Sequence, residues 1–181
     1  KIRVKNRTPV GLINAVIITS SYTNNDGVAG PFVTTLTIEE DGKEYVFYIP
    51  RFLSSETSKN LDNFFNMYSP SAMSEEYMDS LYEDTPCLYV KQDTALELYH
   101  LTGKQFYKDF LKKSKNSIIK RYFDRGQEKE IIDFLQFGFF ASSSLDKFRK
   151  IADERGMAIL SAYILEELKK KAPKTTTKFT I

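Results

Sequence analysis

Residues 32–50 read FVTTLTIEEDGKEYVFYIP, and this stretch decides the fold class. Phe32, Thr34, Leu36 and Ile38 alternate with Val33, Thr35 and Thr37, the period of two that marks a strand with one face inward. Tyr45 to Ile49 form a second apolar and aromatic run, closed by Pro50. Between the runs stands Asp41-Gly42, the pair favoured in a two-residue hairpin turn because both central residues need positive φ. Upstream, Leu12 to Ile18 is a nearly continuous apolar run rich in β-branched residues, which predicts another strand. After Arg51 the period becomes helical. The chain is therefore predicted to be α+β, with a small N-terminal antiparallel sheet of three or four strands in residues 11–50 and a helical C-terminal bundle. The expected segments are a β region over 1–53, a mixed connector over 54–92, the bundle over 93–172 and a flexible tail over 173–181.

Within the helical part, Ser54 and Ser55 offer N-caps, and Leu61, Phe64, Phe65 and Tyr68 fall on one face. Ser74 is placed to cap a short acidic helix, Glu75 to Glu83, with Tyr77, Met78, Leu81 and Tyr82 as its apolar stripe. Cys87 to Val90 reads as a short additional strand, with helices only from Asp93 onward. Thr102-Gly-Lys-Gln105 has capping-box spacing, so a helix is expected there with Phe106, Phe110 and Leu111 inward. Ser114 to Ser117 predicts a bend in it. Further helices are expected over Gln127 to Ala141, from a cap at Ser143-x-x-Asp146 to Gly156, and over Met157 to Lys171. No internal repeat is visible.

The composition is that of a globular chain of 181 residues, 41% hydrophobic and 28% charged, with 14 Phe, 11 Tyr and no Trp. One cysteine, Cys87, excludes an intramolecular disulfide and suits a reducing compartment. No apolar stretch approaches a membrane span, and the basic start lacks the apolar run of a signal peptide. A soluble, cytoplasmic protein is expected, without cofactor or metal.

Catalytic patterns are scarce. His100 is the only histidine, so one Cys and one His leave too few soft ligands for a structural zinc site. No local nucleophile signature supports a Cys87–His100 pair. The glycines are scattered, so no phosphate-cradling loop is formed. The nearest enzyme pattern is nuclease-like, Asp26 with Asp41 and Lys43, but the last two fall in a solvated turn that is poor for preorganised chemistry. A non-catalytic protein is the expectation.

Charge is segregated along the chain. Residues 53–100 carry two basic groups against nine acidic, and residues 101–125 carry eight against two. Such blocks either fold against each other or steer a partner. The acidic one holds a candidate protein-binding face: Glu75, Glu76, Tyr77, Met78, Asp79, Leu81, Tyr82 and Glu83, an aromatic and Met stripe bordered by acids that suits a basic helical partner. The basic one, Lys104, Lys108, Lys112, Lys115, Lys120 and Arg121 interleaved with Phe106, Tyr107, Tyr122 and Phe123, could contact phosphates and stack on bases. Ile151-Ala152…Gly156-Met157 has the Ala-to-Gly spacing of a helix-turn-helix. Arg155 takes a normally apolar position there, and the helix that follows is too apolar to read bases, so a packed helical hairpin is expected instead.

Two resemblances bear on function. The layout of residues 11–68, with Asp41-Gly42 and the Gly27–Gly30 loop, resembles part of an OB-type small barrel such as those of phage single-stranded DNA-binding proteins. That implies stacking by Tyr22, Phe32, Tyr45, Phe47 and Tyr48, although the local charge is only weakly positive. The Lys-, Asn-, Ile-, Tyr- and Phe-rich usage is similar to that of AT-rich Gram-positive bacteria and their phages. In this the chain resembles phage-encoded regulators that bind host transcription or replication machinery, for example inhibitors of the primary sigma factor. The leading expectation is a regulator acting by protein–protein contact on a host protein in the host cytoplasm, and the alternative is a single-stranded nucleic-acid binder.

Overall fold

A computed structural model describes residues 2–5, 31–85 and 87–171. The strand expected over Leu12 to Ile18, most of the 22–31 loop, Tyr22, Asp26 and the 173–181 tail lie outside the described residues. The chain divides into two compact units, residues 1–113 and 114–181.

In the first unit the hairpin forms as the sequence predicts. Strand β2 (Val33–Glu40) pairs antiparallel with β3 (Lys43–Pro50), from Val33 opposite Pro50 to Glu40 opposite Lys43. Asp41 and Gly42 make the turn with φ of 51° and 74°, the two positive values that the Asp-Gly pair tolerates. Strand β1 (Ile2–Lys5) pairs with β2 in parallel, Ile2 opposite Leu36, so the described sheet has the order β1-β2-β3 and is not wholly antiparallel. A parallel pair needs a connection of about a dozen residues or more, and the chain between Lys5 and Val33 is long enough for one.

The inward face of the hairpin carries Leu36, Ile38, Phe47 and Ile49. They pack with Leu53, Leu61, Phe65 and Leu81 into one core. Helix α1 (Ser55–Met67) starts at Ser54, whose Oγ accepts from Thr57 N at 3.1 Å. Leu61 and Phe65 of its expected stripe are buried, Phe64 is half-buried and Tyr68 lies exposed beyond the end. After a 3-10 turn (Pro70–Ala72), α2 (Glu75–Glu83) is capped by Ser74, whose Oγ accepts from Tyr77 N at 3.1 Å.

The segment expected as a strand at Cys87–Val90 is instead the start of α3 (Leu88–Thr102). Val90, Thr94, Ala95 and Leu98 are buried, a helical spacing whose apolar signal is weakened by the polar Thr94 and by Gln92, also buried. Thr102 closes α3 and does not open a capping box. Its hydroxyl donates to Leu98 O at 2.6 Å, and Gly103 stops the helix with φ of 66°. Helix α4 (Gln105–Asp124) follows and runs through Ser114–Ser117 without a break. Its inward residues in the first unit are Tyr107 and Leu111, while Phe106 is exposed and Phe110 half-buried.

The second unit comprises the end of α4, with Ile118, Ile119, Tyr122 and Phe123 buried, and three more helices. These are α5 (Glu128–Leu135), α6 (Ser142–Glu154) and α7 (Ala158–Lys171). Helix α5 stops short of the predicted Ala141 because Phe137-Gly138-Phe139 turns, with Gly138 at positive φ. Helix α6 begins after Ala141 with no side-chain cap, so Ser143 and Asp146 do not cap it. One turn occurs twice, at Arg125-Gly126-Gln127 and Arg155-Gly156-Met157. Gly126 N donates to Phe123 O and Gln127 N to Tyr122 O, as Gly156 N does to Asp153 O and Met157 N to Ala152 O. Glu128 of α5 reaches the α7 N-terminus, where its Oε1 accepts from Leu160 N at 2.7 Å. Among the described residues no helix is long and apolar enough to cross a membrane.

Candidate docking cleft

The first unit carries a cleft of about 400 Å³ between the outward side of β3, the N-terminal half of α2 and the α3–α4 junction. Val46 and Tyr48 come from β3, Met78 from α2, and Leu98 and Leu101 from α3. Two of these are large apolar side chains left in solvent: Val46 is 46% exposed and Leu101 43%. Val46 is there because β3 alternates, with Phe47 inward and its neighbour outward. Leu101 lies in the last turn of α3, past the buried Leu98.

A polar cluster borders this apolar floor. Lys104 Nζ donates to Asp79 Oδ1 and Oδ2 at 3.1 and 3.2 Å and pairs with Glu75 Oε2 at 3.2 Å. The Tyr107 hydroxyl donates to the same Asp79 Oδ1 at 2.9 Å. Burial works against the charge on Lys104, but its hydrogen bonds to Asp79 and Glu75 outweigh it and hold the ammonium above its usual range. Burial, then the bond to Asp79, pushes the Tyr107 phenol well above the ordinary tyrosine value. The rim thus sets two acidic side chains, Glu75 and Asp79, against one lysine and a phenol, an acidic excess.

The acidic segment is only partly available as a surface. Glu75, Met78 and Asp79 line the cleft, Glu76 is exposed outside its lining, and Glu83 is exposed and paired with Lys91 at 2.6 Å. Tyr77 is half-buried and stacks on Phe64, with ring centroids 5.6 Å apart. Leu81 and Tyr82 are buried in the core, which removes them from any contact surface. Tyr82 sits edge-on to Phe106, Tyr107 and Phe110. Leu81 belongs to the core under the sheet, whereas Tyr82 packs against the start of α4, beside the Tyr107 that also bonds Asp79.

The basic segment lies partly in each unit, and most of its side chains already have contacts. Lys104 is held by the acids, and Lys108 lies over the Tyr99 ring at 5.9 Å. Lys115 donates to Phe139 O at 2.8 Å, and Lys120 pairs with Asp124. Arg121 is buried against the Tyr122 ring, so it is not a phosphate contact. Lys112 is exposed. Of the aromatics implied by the OB resemblance, Phe32 and Phe47 are buried in core clusters, and Tyr45 and Tyr48 are half-buried.

Asp41 and Lys43 are exposed at the hairpin turn, and among the described residues no group of three or more His, Cys, Asp or Glu could hold a metal ion. Cys87 and His100 stand at opposite ends of α3, about 20 Å apart at 1.5 Å per residue, too far for a catalytic pair. The Ala152…Gly156 pattern is a helical hairpin. Its unusual Arg155 donates to Phe123 O, the end of α4, and lies 3.8 Å from Asp124.

The sequence does not point to Val46 or Leu101 in a site, and it points to Tyr107 only as a stacking aromatic of the basic segment. The signal was present only in combination: an outward valine in an alternating strand, and a lysine block following an acidic block that it folds against. No family model, curated protein or solved structure matches this chain.

Proposed function

We propose that the protein is a non-catalytic regulator that works by protein–protein contact, receiving in this cleft an amphipathic segment of its partner that carries basic side chains. The observation that carries this reading is the pairing of exposed Val46 and Leu101 with a rim of two carboxylates to one lysine. An apolar floor supplies affinity by burial, and a rim of one sign supplies orientation and association rate. Met73 and Met78 beside the floor adapt to irregular partner side chains. The partner class is host transcription machinery, as the resemblance in composition to phage regulators implies.

The test uses fluorescently labelled protein titrated with RNA polymerase core, holoenzyme and isolated primary sigma factor from a low-GC Gram-positive bacterium, and with a single-stranded oligonucleotide. Binding to one of the proteins, weakened at least about tenfold by Leu101→Asp and little changed by Lys112→Gln, supports the reading. Binding to the oligonucleotide alone overturns it.

A further inference from the structure

The far edge of β3 borders the docking cleft, and its backbone decides in what form a partner segment enters. The Asp41-Gly42 turn closes on Glu40 and Lys43, so residues across the hairpin alternate between pairs that exchange hydrogen bonds and pairs that do not. Glu40–Lys43, Ile38–Tyr45, Leu36–Phe47 and Thr34–Ile49 are therefore the bonded pairs. The same alternation continues past the strand ends, where Arg51 N donates to Phe32 O at 2.9 Å. Val46 and Tyr48 fall between bonded pairs, so their N–H and C=O groups point away from β2. Among the described residues no second strand pairs with β3, and these groups lie along an open edge.

That edge is guarded at both ends and open in the middle. Lys43 and Glu44 are exposed charges beside the turn, and Pro50 has no N–H to offer. Charge and proline are the devices that keep an edge strand from pairing. Val46-Phe47-Tyr48 between them carries neither. All three residues line the cleft, although Phe47 points into the core and Val46 outward, so the cleft runs along the edge of the strand.

We propose, resting on the docking function given above, that the partner segment enters as an added β-strand bonded to Val46 and Tyr48, and not as a helix. An added strand lies about 4.8 Å from β3 and alternates its side chains between two faces. Those level with Val46 extend its outward row and are apolar. The intervening ones turn to the inward side, where α2 packs through Leu81 and brings Glu75 and Asp79 to the cleft, and these are Lys or Arg. The occupant is thus an extended segment of another protein that alternates apolar and basic residues. The chain's own apolar run, residues 12–18, has no basic residue to meet the two carboxylates, so charge selects a separate chain.

The probe is a peptide alternating Val and Lys over about eight residues, within the usual length of a strand. Its control is the same set of residues reordered to helical spacing. Each is titrated into the isotope-labelled full chain, and backbone amide exchange is followed by NMR. In the free protein the Val46 and Tyr48 amides exchange fast, and the Phe47 amide, bonded to Leu36, exchanges slowly. The alternating peptide should slow Val46 and Tyr48 at least about tenfold. N-methylation of one set of its alternate amides should abolish this, and methylation of the other set should not. Val46→Pro removes an N–H that β2 does not use, so the hairpin still forms and peptide affinity falls at least about tenfold further than with Val46→Ala. A helical peptide that shifts the cleft resonances where the alternating one does not overturns the strand mode and leaves the cleft standing, as do two methylated sets that bind alike. Binding by neither peptide overturns the cleft and the strand together. Val46 and Tyr48 amides already protected without peptide overturn the inference as well, because the chain then covers its own edge.

Discussion

Replacing Asp79 with Ala removes the acceptor of the Tyr107 hydroxyl and two of the contacts that hold Lys104. Tyr107 is only 3% exposed, so its hydroxyl is left in a place where water enters poorly. An unsatisfied buried donor costs about 1–3 kcal/mol. The lost ion pair adds little, because both side chains are about one-third exposed and Lys104 keeps Glu75, so about 0–1 kcal/mol is assigned to it. Asp79→Ala should therefore destabilise the protein by roughly 1–4 kcal/mol, a shift of about 0.5–2 M in the urea midpoint at a slope of about 2 kcal/mol/M. Tyr107→Phe alone should cost less than about 1 kcal/mol, since the carboxylate it leaves behind still faces Lys104. The double variant should recover much of the Asp79→Ala loss, because no orphaned hydroxyl then exists. Urea unfolding followed by tyrosine fluorescence and far-ultraviolet dichroism measures all four proteins. An Asp79→Ala loss no larger than that of Glu76→Ala, or a double variant that is simply additive, refutes the reasoning.

Further outcomes follow from buried polar groups. The Tyr82 hydroxyl is fully buried without a hydrogen-bond partner among the described residues, so Tyr82→Phe should leave the melting temperature unchanged or raise it. Glu128→Ala takes the acceptor from Leu160 N at the start of α7 and should cost about 1 kcal/mol in urea unfolding, against a smaller effect at the exposed Glu130. Burial raises the phenols of Tyr77, Tyr82 and Tyr107 above the ordinary tyrosine value, and Lys104 is raised by its acids. All four then bind protons more tightly folded than unfolded. Their contribution is intact below about pH 10 and falls as pH rises further, by up to about 1.4 kcal/mol per pH unit for each group. Melting temperatures that stay level from pH 7 to beyond pH 11 would contradict this.

The hairpin was legible because local chemistry dictates it: alternation on both sides of Asp41-Gly42 leaves one register for a two-residue turn. Ser54 and Ser74 were legible for the same reason, each a hydroxyl three residues ahead of the amide it caps. Errors came where two elements compete for the same residues. Leu88, Tyr89 and Val90 read as a strand by composition, yet Val90 alone of the three is buried and the helical spacing runs on to Leu98. Thr102 has the residue type of an N-cap, but Gly103 with positive φ ends α3 first and turns the hydroxyl back to Leu98 O. The serines at 114 and 117 suggest a bend, but Leu111, Ile118 and Tyr122 keep one buried face across them. The candidate site lies beyond local reading altogether, since Val46, Asp79, Leu101 and Lys104 meet only after the sheet and three helices have packed. What the sequence did carry was the opposition of the acidic and basic blocks, which Asp79 and Lys104 join at 3.1 Å.

The most direct test of the docking cleft places a photo-crosslinking residue at Leu101 and, as a control, at Met67, which is exposed on α1 and does not line the cleft. The tagged full chain is irradiated in a nuclease-treated lysate of a low-GC Gram-positive bacterium, and the crosslinked peptide is sequenced. One protein should be joined at Leu101 and not at Met67, through a segment that is amphipathic and bears Lys or Arg. Introducing Glu75→Lys should reduce the yield, and raised salt should weaken capture by the unaltered rim. Crosslinking that disappears with nuclease, or a segment that is acidic or wholly polar, would contradict the assignment of the cleft.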